Sequence, residues 1–136
     1  MTAETDPFKG LALAPIGPAD AGRGAALSAE IGWNQTEADW RYMLENGSGY
    51  GRGDGAGRLV ASAMALPYGA FGWVCMVLVS EPYRRRGLAT NLMNRVIEDL
   101  ERDGIVPGLD ATPAGREVYK NLGFEDVYRL ERLWAE

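Results

Sequence analysis

Residues 71–111 constrain the fold of this chain more than any other stretch. Residues 71–79 form a nearly unbroken apolar run, followed by Ser80-Glu81-Pro82-Tyr83 and then by Arg84-Arg85-Arg86-Gly87. Beyond Gly87, the residues Leu88, Leu92, Val96, Ile97 and Leu100 fall on one face of a helix, with Arg95, Glu98, Asp99, Glu101 and Arg102 left for the wet side. Gly104 ends that helix, and residues 105–111 read as a short strand. A run apolar on both faces predicts a central strand covered on both sides. Strand, helix and strand in this order prefer a right-handed crossover with the strands parallel.

The flanking segments extend the same layout. Residues 1–9 read as a loose leader, and residues 10–16 as a first strand stopped by Gly17-Pro18. Residues 19–31 form an Ala-rich helix weakened by Gly22 and Gly24. Thr36, with Asp39 three residues on, predicts a capping box opening a second helix, which carries Trp40, Met43 and Leu44 and ends at Asn46-Gly47. Glycine then occupies every second position from 47 to 57. This reads either as a flexible hairpin turned at Asp54-Gly55 or as a strand with a bare face open to close approach by a backbone or ligand. Residues 58–66 and 71–79 are strands joined across Pro67-Tyr68-Gly69. Thr112-Pro113 starts a last helix carrying Val118, Tyr119 and Leu122 and stopping at Gly123. Residues 124–134 close the chain as a strand or hairpin. The expected class is α/β with a mixed sheet, one domain over 1–136, in the order β-α-α-β-β-β-α-β-α-β.

Composition narrows the chemistry. The 136 residues suit one domain, and 46% hydrophobic content argues against global disorder. Fourteen basic against nineteen acidic residues give a net charge of −5, which speaks against a nucleic-acid coat protein. With no His and a single Cys, His triads, His metal sites and Cys-cluster metal sites are excluded. The longest apolar run is about half the ~20 residues of a membrane helix. The acidic first residues do not resemble a secretory signal. A cytoplasmic protein with no membrane or nucleic-acid partner is expected. Its Cys75, mid-strand among apolar residues, reads as an inert core thiol.

The chemistry-bearing segment is 77–90. A strand ends, the chain turns, and small residues open a long helix behind three arginines. First-turn amides of a helix have no internal partner, and the macrodipole places about half a positive charge there. Gly87 and Ala89 leave the backbone approachable, so the segment suits a pyrophosphate. It contains neither a P-loop nor a Gly-x-Gly-x-x-Gly dinucleotide fingerprint.

The spacing Arg84-x-x-Gly87-x-Ala89 resembles the Arg/Gln-x-x-Gly-x-Gly/Ala signature of the GNAT superfamily of acyl-CoA-dependent N-acetyltransferases. Downstream, Tyr119-Lys120-Asn121-Leu122-Gly123-Phe124 is similar to that superfamily's Tyr-x-x-Leu-Gly-Phe ending. With the element order, the resemblance covers nearly the whole chain. It implies a GNAT-like domain whose central strands splay around acetyl-CoA as cosubstrate. The backbone of Val77, Leu78 and Val79 would pair with the pantetheine arm. Arg85, Arg86, Gly87, Leu88, Ala89 and Thr90 would wrap the pyrophosphate, and one of Arg84, Arg85 and Arg86 would reach the adenosine 3′-phosphate. Tyr119 would protonate the departing thiolate. Three departures from the pattern stand out. Thr112 stands where many relatives carry a cofactor-contacting Asn, and Pro107 where relatives that acetylate protein N-termini carry a Glu. The chain also ends soon after Phe124, leaving a final strand edge that a partner subunit, as in a homodimer, would cover.

An amine must lose its proton to attack a thioester. Residues 71–79 hold no carboxylate, so the base is left open among Glu30, Asp39, Asp110, water and backbone carbonyls. Trp33, Asn34, Tyr50 and Trp73, and also Trp40, are candidates to line the acceptor pocket. The expected activity is acetyl transfer to the primary amine of a small molecule. The alternative is a non-catalytic acyl-CoA-binding or regulatory module on the same scaffold.

Overall fold

The computed structural model describes residues 8–131 and residue 133. Its elements in chain order are β1 (Ala12–Ile16), α1 (Ala21–Ile31), α2 (Glu37–Asn46), β2 (Ser48–Gly53), β3 (Leu59–Tyr68), β4 (Phe71–Val79), α3 (Leu88–Arg102), β5 (Val106–Gly108) and α4 (Pro113–Asn121). The sheet order is β1-β2-β3-β4-β5. The first three pairings are antiparallel and β4–β5 is parallel, as a helical crossover requires.

Local chemistry explains the boundaries. Asp39 N–H donates to Thr36 Oγ1 and Thr36 N–H to Asp39 Oδ2, so the capping box at α2 forms as its spacing predicts. The hairpin between β2 and β3 turns at Asp54, whose Oδ1 accepts from the amides of Ala56 and Arg58. The bare glycine face of β2 is filled by the protein itself. A Cβ at Gly49 would lie 2.5 Å from the Ala63 carbonyl, and one at Gly51 2.5 Å from Leu59 Cδ1.

The sheet carries a core on each face. Against α1 and α2 lie Leu27, Trp40, Leu44, Met64, Met76 and Leu78. Against α3 lie Val60, Ala63, Val74, Leu88, Leu92, Met93, Val96 and Leu100. Each fully buried Leu or Met contributes about 1.5–3 kcal/mol. Trp40 belongs to this interior rather than to an acceptor pocket. It is 0% exposed, and its indole N–H donates to Ser28 Oγ at 3.1 Å. Gly24, which lowers helix propensity, is what admits the ring: a Cβ there would lie 2.5 Å from Trp40 Cε3.

Four further segments differ from expectation. Phe8 is no loose leader; it is buried in the α3-side core with the Arg52 guanidinium 4.6 Å over its ring. β3 runs on through Pro67 and Tyr68, so the turn is Gly69-Ala70. β5 stops at Gly108, three residues before the expected Ala111, and Pro107 has no N–H to give a ladder. Residues 124–131 form no strand; Arg116 grips Asp126 through two guanidinium nitrogens and ties this segment to α4. The expected strand's residues 132 and 134 lie outside the described residues.

Candidate active site

β4 and β5 pair only at Phe71–Val106, Gly72–Pro107 and Trp73–Gly108. From Val74 onward, the β5-side edge of β4 has no strand partner among the described residues. The direction of its backbone groups follows from one bond. Ser80 N–H donates to Val60 O at 2.8 Å, so Ser80 faces β3. Alternation along a strand then turns Leu78 toward β3 and sends Val77 and Val79 to the open edge. Leu78 is 2% exposed and faces its Ser62 partner. Of the three residues expected to offer backbone to a pantetheine arm, the structure brings Val77 and Val79 to the edge and turns Leu78 away. The Val79 carbonyl is taken by Arg84 Nε at 3.1 Å.

β4 also carries a bulge. Ser62 pairs with Leu78 but Met64 with Cys75, so Met76 and Val77 together stand opposite Ala63. Met76 holds φ +51°, in the left-handed region. The extra residue flips the side-chain alternation, and both Cys75 and Met76 meet the α1/α2 core while Val77 and Val79 meet the α3 core. No local sequence signal marks this bulge, because glycine, the usual occupant of such a position, is absent from it.

The β4 edge leads into the arginine turn. Arg85 (φ +65°) and Gly87 (φ +79°) both take left-handed conformations, in the kind of turn where successive N–H groups converge on an anion. Gly87 caps α3 without a side chain to satisfy its first turn. The first ladder bond is Asn91 N–H to Gly87 O. The N–H groups of Arg85, Arg86, Gly87, Leu88, Ala89 and Thr90 find no acceptor among the described residues. A Cβ built on Gly87 meets no atom within 4 Å, so the space above these amides is open. Arg84, Arg85 and Arg86 are exposed, and the Arg86 guanidinium lies 5.5 Å over the Tyr83 ring. This donor set fits a diphosphate, and the edge of Val77 and Val79 fits an extended amide chain.

Tyr119, half-buried on α4, packs against the same α3-side core as Val77 and Val79. Its ring meets Phe124 edge-on at 6.3 Å. Burial raises the phenol above its ordinary value of 10.0, and its hydroxyl has no partner among the described residues. Thr112 caps α4 by accepting from Gly115 N–H at 3.1 Å.

Tyr50 and Trp73, two of the acceptor-pocket candidates, lie on opposite faces of the sheet. Tyr50 lies on the α3 face, where its hydroxyl donates to Asp99 and Arg95 covers its ring at 5.0 Å. Gly72 faces Leu100 and Ile105, so its neighbour Trp73 takes the opposite face. Trp33 is 45% exposed and follows α1 with Asn34. No ring contact joins Trp33, Tyr50 and Trp73 among the described residues. A cleft of about 340 Å³ beside Tyr50, Asp99 and Pro67 lies at the start of β4, away from the arginine turn. Two of the three carboxylate base candidates are committed elsewhere. Asp39 caps α2, Glu30 holds Ser80 and Arg58, and Asp110 is exposed. Cys75 is an encumbered thiol, pushed up to about 11 by burial.

A strand pair that opens midway and leads to free amides at a helix start is the geometry that marks this site. The chain belongs to the acetyltransferase (GNAT) family, whose model matches residues 25–124. GNAT acetyltransferases use acetyl-CoA. Solved structures agree in fold. An acetyltransferase from Trypanosoma brucei is 20% identical with a TM-score of 0.75, over 92% of this chain and 99% of that one. Glucosamine-6-phosphate N-acetyltransferase from Arabidopsis thaliana is 12% identical with a TM-score of 0.74, over 93% and 99%. A predicted acetyltransferase from Clostridium acetobutylicum, solved with acetyl-CoA, is 20% identical with a TM-score of 0.69, over 90% and 95%. No protein of curated function matches the chain. Among the described residues, no helix is long and apolar enough to cross a membrane.

Proposed function

We propose that this protein transfers the acetyl group of acetyl-CoA to a primary amine of a small molecule. The observation that carries the reading is the continuity between the unpaired N–H groups of residues 85–90 and the open β4 edge. The amides and the flanking guanidiniums hold the diphosphate, as oriented N–H groups at a helix start favour anions. The outward groups of Val77 and Val79 hold the pantetheine arm as an added strand would be held. Arg84 leaves the Val79 carbonyl when that arm docks. The Val77 N–H faces the thioester carbonyl and stabilises the negative charge that forms on it.

The amine nitrogen attacks the carbonyl carbon, the C–N bond forms, and the C–S bond breaks. Tyr119 gives its phenolic proton to the leaving sulfur, the ammonium proton leaves to water, and the phenolate recovers a proton from solvent. Free phenol and thiol differ by roughly 1.5 pKa units, so this transfer runs uphill by about 2 kcal/mol. The raised phenol makes the step harder, yet it keeps the proton in place throughout the neutral range. A small acceptor is supported by Pro107, which replaces the carboxylate of relatives that acetylate protein N-termini.

The experiment is incubation with acetyl-CoA and a panel of small primary amines and peptide N-termini, following thiol release and product mass. Acetylation confined to small amines supports the reading, and preferential peptide acetylation moves the acceptor class. CoA binding without turnover of any amine would establish the acyl-CoA-binding module instead.

A further inference from the structure

The bulge that shapes the open edge is held by one buried hydroxyl. Ser62 on β3 is 0% exposed, and its Oγ donates to the Met76 carbonyl at 2.7 Å. Methionine has no intrinsic preference for the left-handed conformation found at Met76, so the surroundings must enforce it. Two features do so. The Met76 side chain is buried against the α1/α2 core, and the carbonyl is anchored to Ser62.

The second feature reaches the cofactor edge. The Met76 C=O and the Val77 N–H belong to one planar trans peptide unit, so they point in opposite directions. Holding the carbonyl on the β3 side therefore aims the Val77 N–H outward, to the edge that β5 leaves open. We infer that Ser62 is a positioning residue for acetyl transfer: its hydrogen bond to Met76 sets the peptide plane from which Val77 meets the thioester carbonyl. This rests on the open edge being the acetyl-CoA groove. Ser62 acts through the backbone of β4, one strand away from that groove.

The test is isotope-edited infrared spectroscopy of acetyl-CoA labelled at the thioester carbonyl and bound to the protein, with CoA affinity measured in parallel. In the wild-type protein the bound carbonyl band should lie below that of free acetyl-CoA. In Ser62→Ala it should move back toward the free position while CoA affinity stays within about 2-fold, because the diphosphate grip is untouched. Turnover should fall about 10-fold in kcat with little change in KM for acetyl-CoA, less than the ~10²-fold for loss of a whole oxyanion donor. Should Ser62→Ala fail to fold, Ser62→Cys decides, since it keeps the shape and substitutes a weak donor. A band equal to wild type in the folded variant overturns the proposal, as does a wild-type band equal to free acetyl-CoA. Failure of the wild-type protein to bind either CoA or acetyl-CoA removes the groove itself, and this role of Ser62 with it.

Discussion

Ser80 donates its hydroxyl proton to Glu30 Oε2 at 2.6 Å, and that bond ties the last turn of α1 to the residue that follows β4. Ser80 is 1% exposed, so its partner matters. The other Glu30 oxygen takes Arg58 at 2.9 Å in an open pair, worth about 0–1 kcal/mol. A hydrogen bond from a buried hydroxyl to a carboxylate is worth about 1.5–3 kcal/mol. Glu30 therefore serves the joint between the helical layer and the arginine turn.

Glu30→Ala should cost about 1–3 kcal/mol of stability, since it strands the Ser80 hydroxyl. Urea denaturation of Glu30→Ala, Ser80→Ala and the double variant measures the coupling. A coupling energy near 1 kcal/mol is expected, and simple additivity would refute the tie.

Gly87→Ala should weaken CoA binding by more than about 10-fold while costing about 1–2 kcal/mol of stability from the left-handed backbone alone. Gly57 in the β2–β3 turn is the control. It has a similar φ of +86° and equally open surroundings, so Gly57→Ala should show the strain without the loss of CoA affinity. Calorimetric titration of both variants separates the two effects.

Tyr119→Phe should lower kcat about 10²-fold and change stability by no more than about 0.5 kcal/mol, because the hydroxyl has no partner to lose. The pH profile carries the sign. Burial raises the phenol above 10.0, so the acid form persists through neutral pH, and the wild-type rate declines only as pH climbs past 10. That basic limb should be missing from the Phe variant. Stability follows the same direction, being fully present below pH 10 and lost as pH rises through the folded value.

Cys75 should react with iodoacetamide at pH 8 at least about 10²-fold more slowly in the folded protein than in the urea-unfolded chain. Its thiol lies at about 11, against an ordinary 9.0, and the thiolate is the nucleophile. The folded state binds this proton more tightly, so the associated stability is intact below pH 9 and lost as pH rises toward 11. Equal rates in the two states would place the thiol at the surface.

Much of this protein was legible in one dimension because the signals were local. The period of Leu88, Leu92, Val96 and Leu100 sets a helix face wherever the helix is placed, and Thr36 with Asp39 caps whatever follows. Arg84-x-x-Gly87-x-Ala89 describes a backbone conformation more than a set of contacts, and residues 85–90 take one that leaves their amides open. Tyr50 and Trp73 were not separable in this way. Each is an aromatic residue in a strand, and only the sheet's two faces send one toward Asp99 and the other to the far side.

What the order of residues determined by itself is the succession of elements up to α4 and the glycine-opened helix start, since propensity, capping and periodicity act within a few residues. Tertiary structure alone decided that Leu78 turns inward, that Met76 adopts a conformation foreign to its type, that Gly24 exists to admit Trp40, and that Ser62 reaches the peptide beyond it. Each of these depends on groups brought together from distant positions in the chain, and their packing and hydrogen bonds override what each residue would prefer alone.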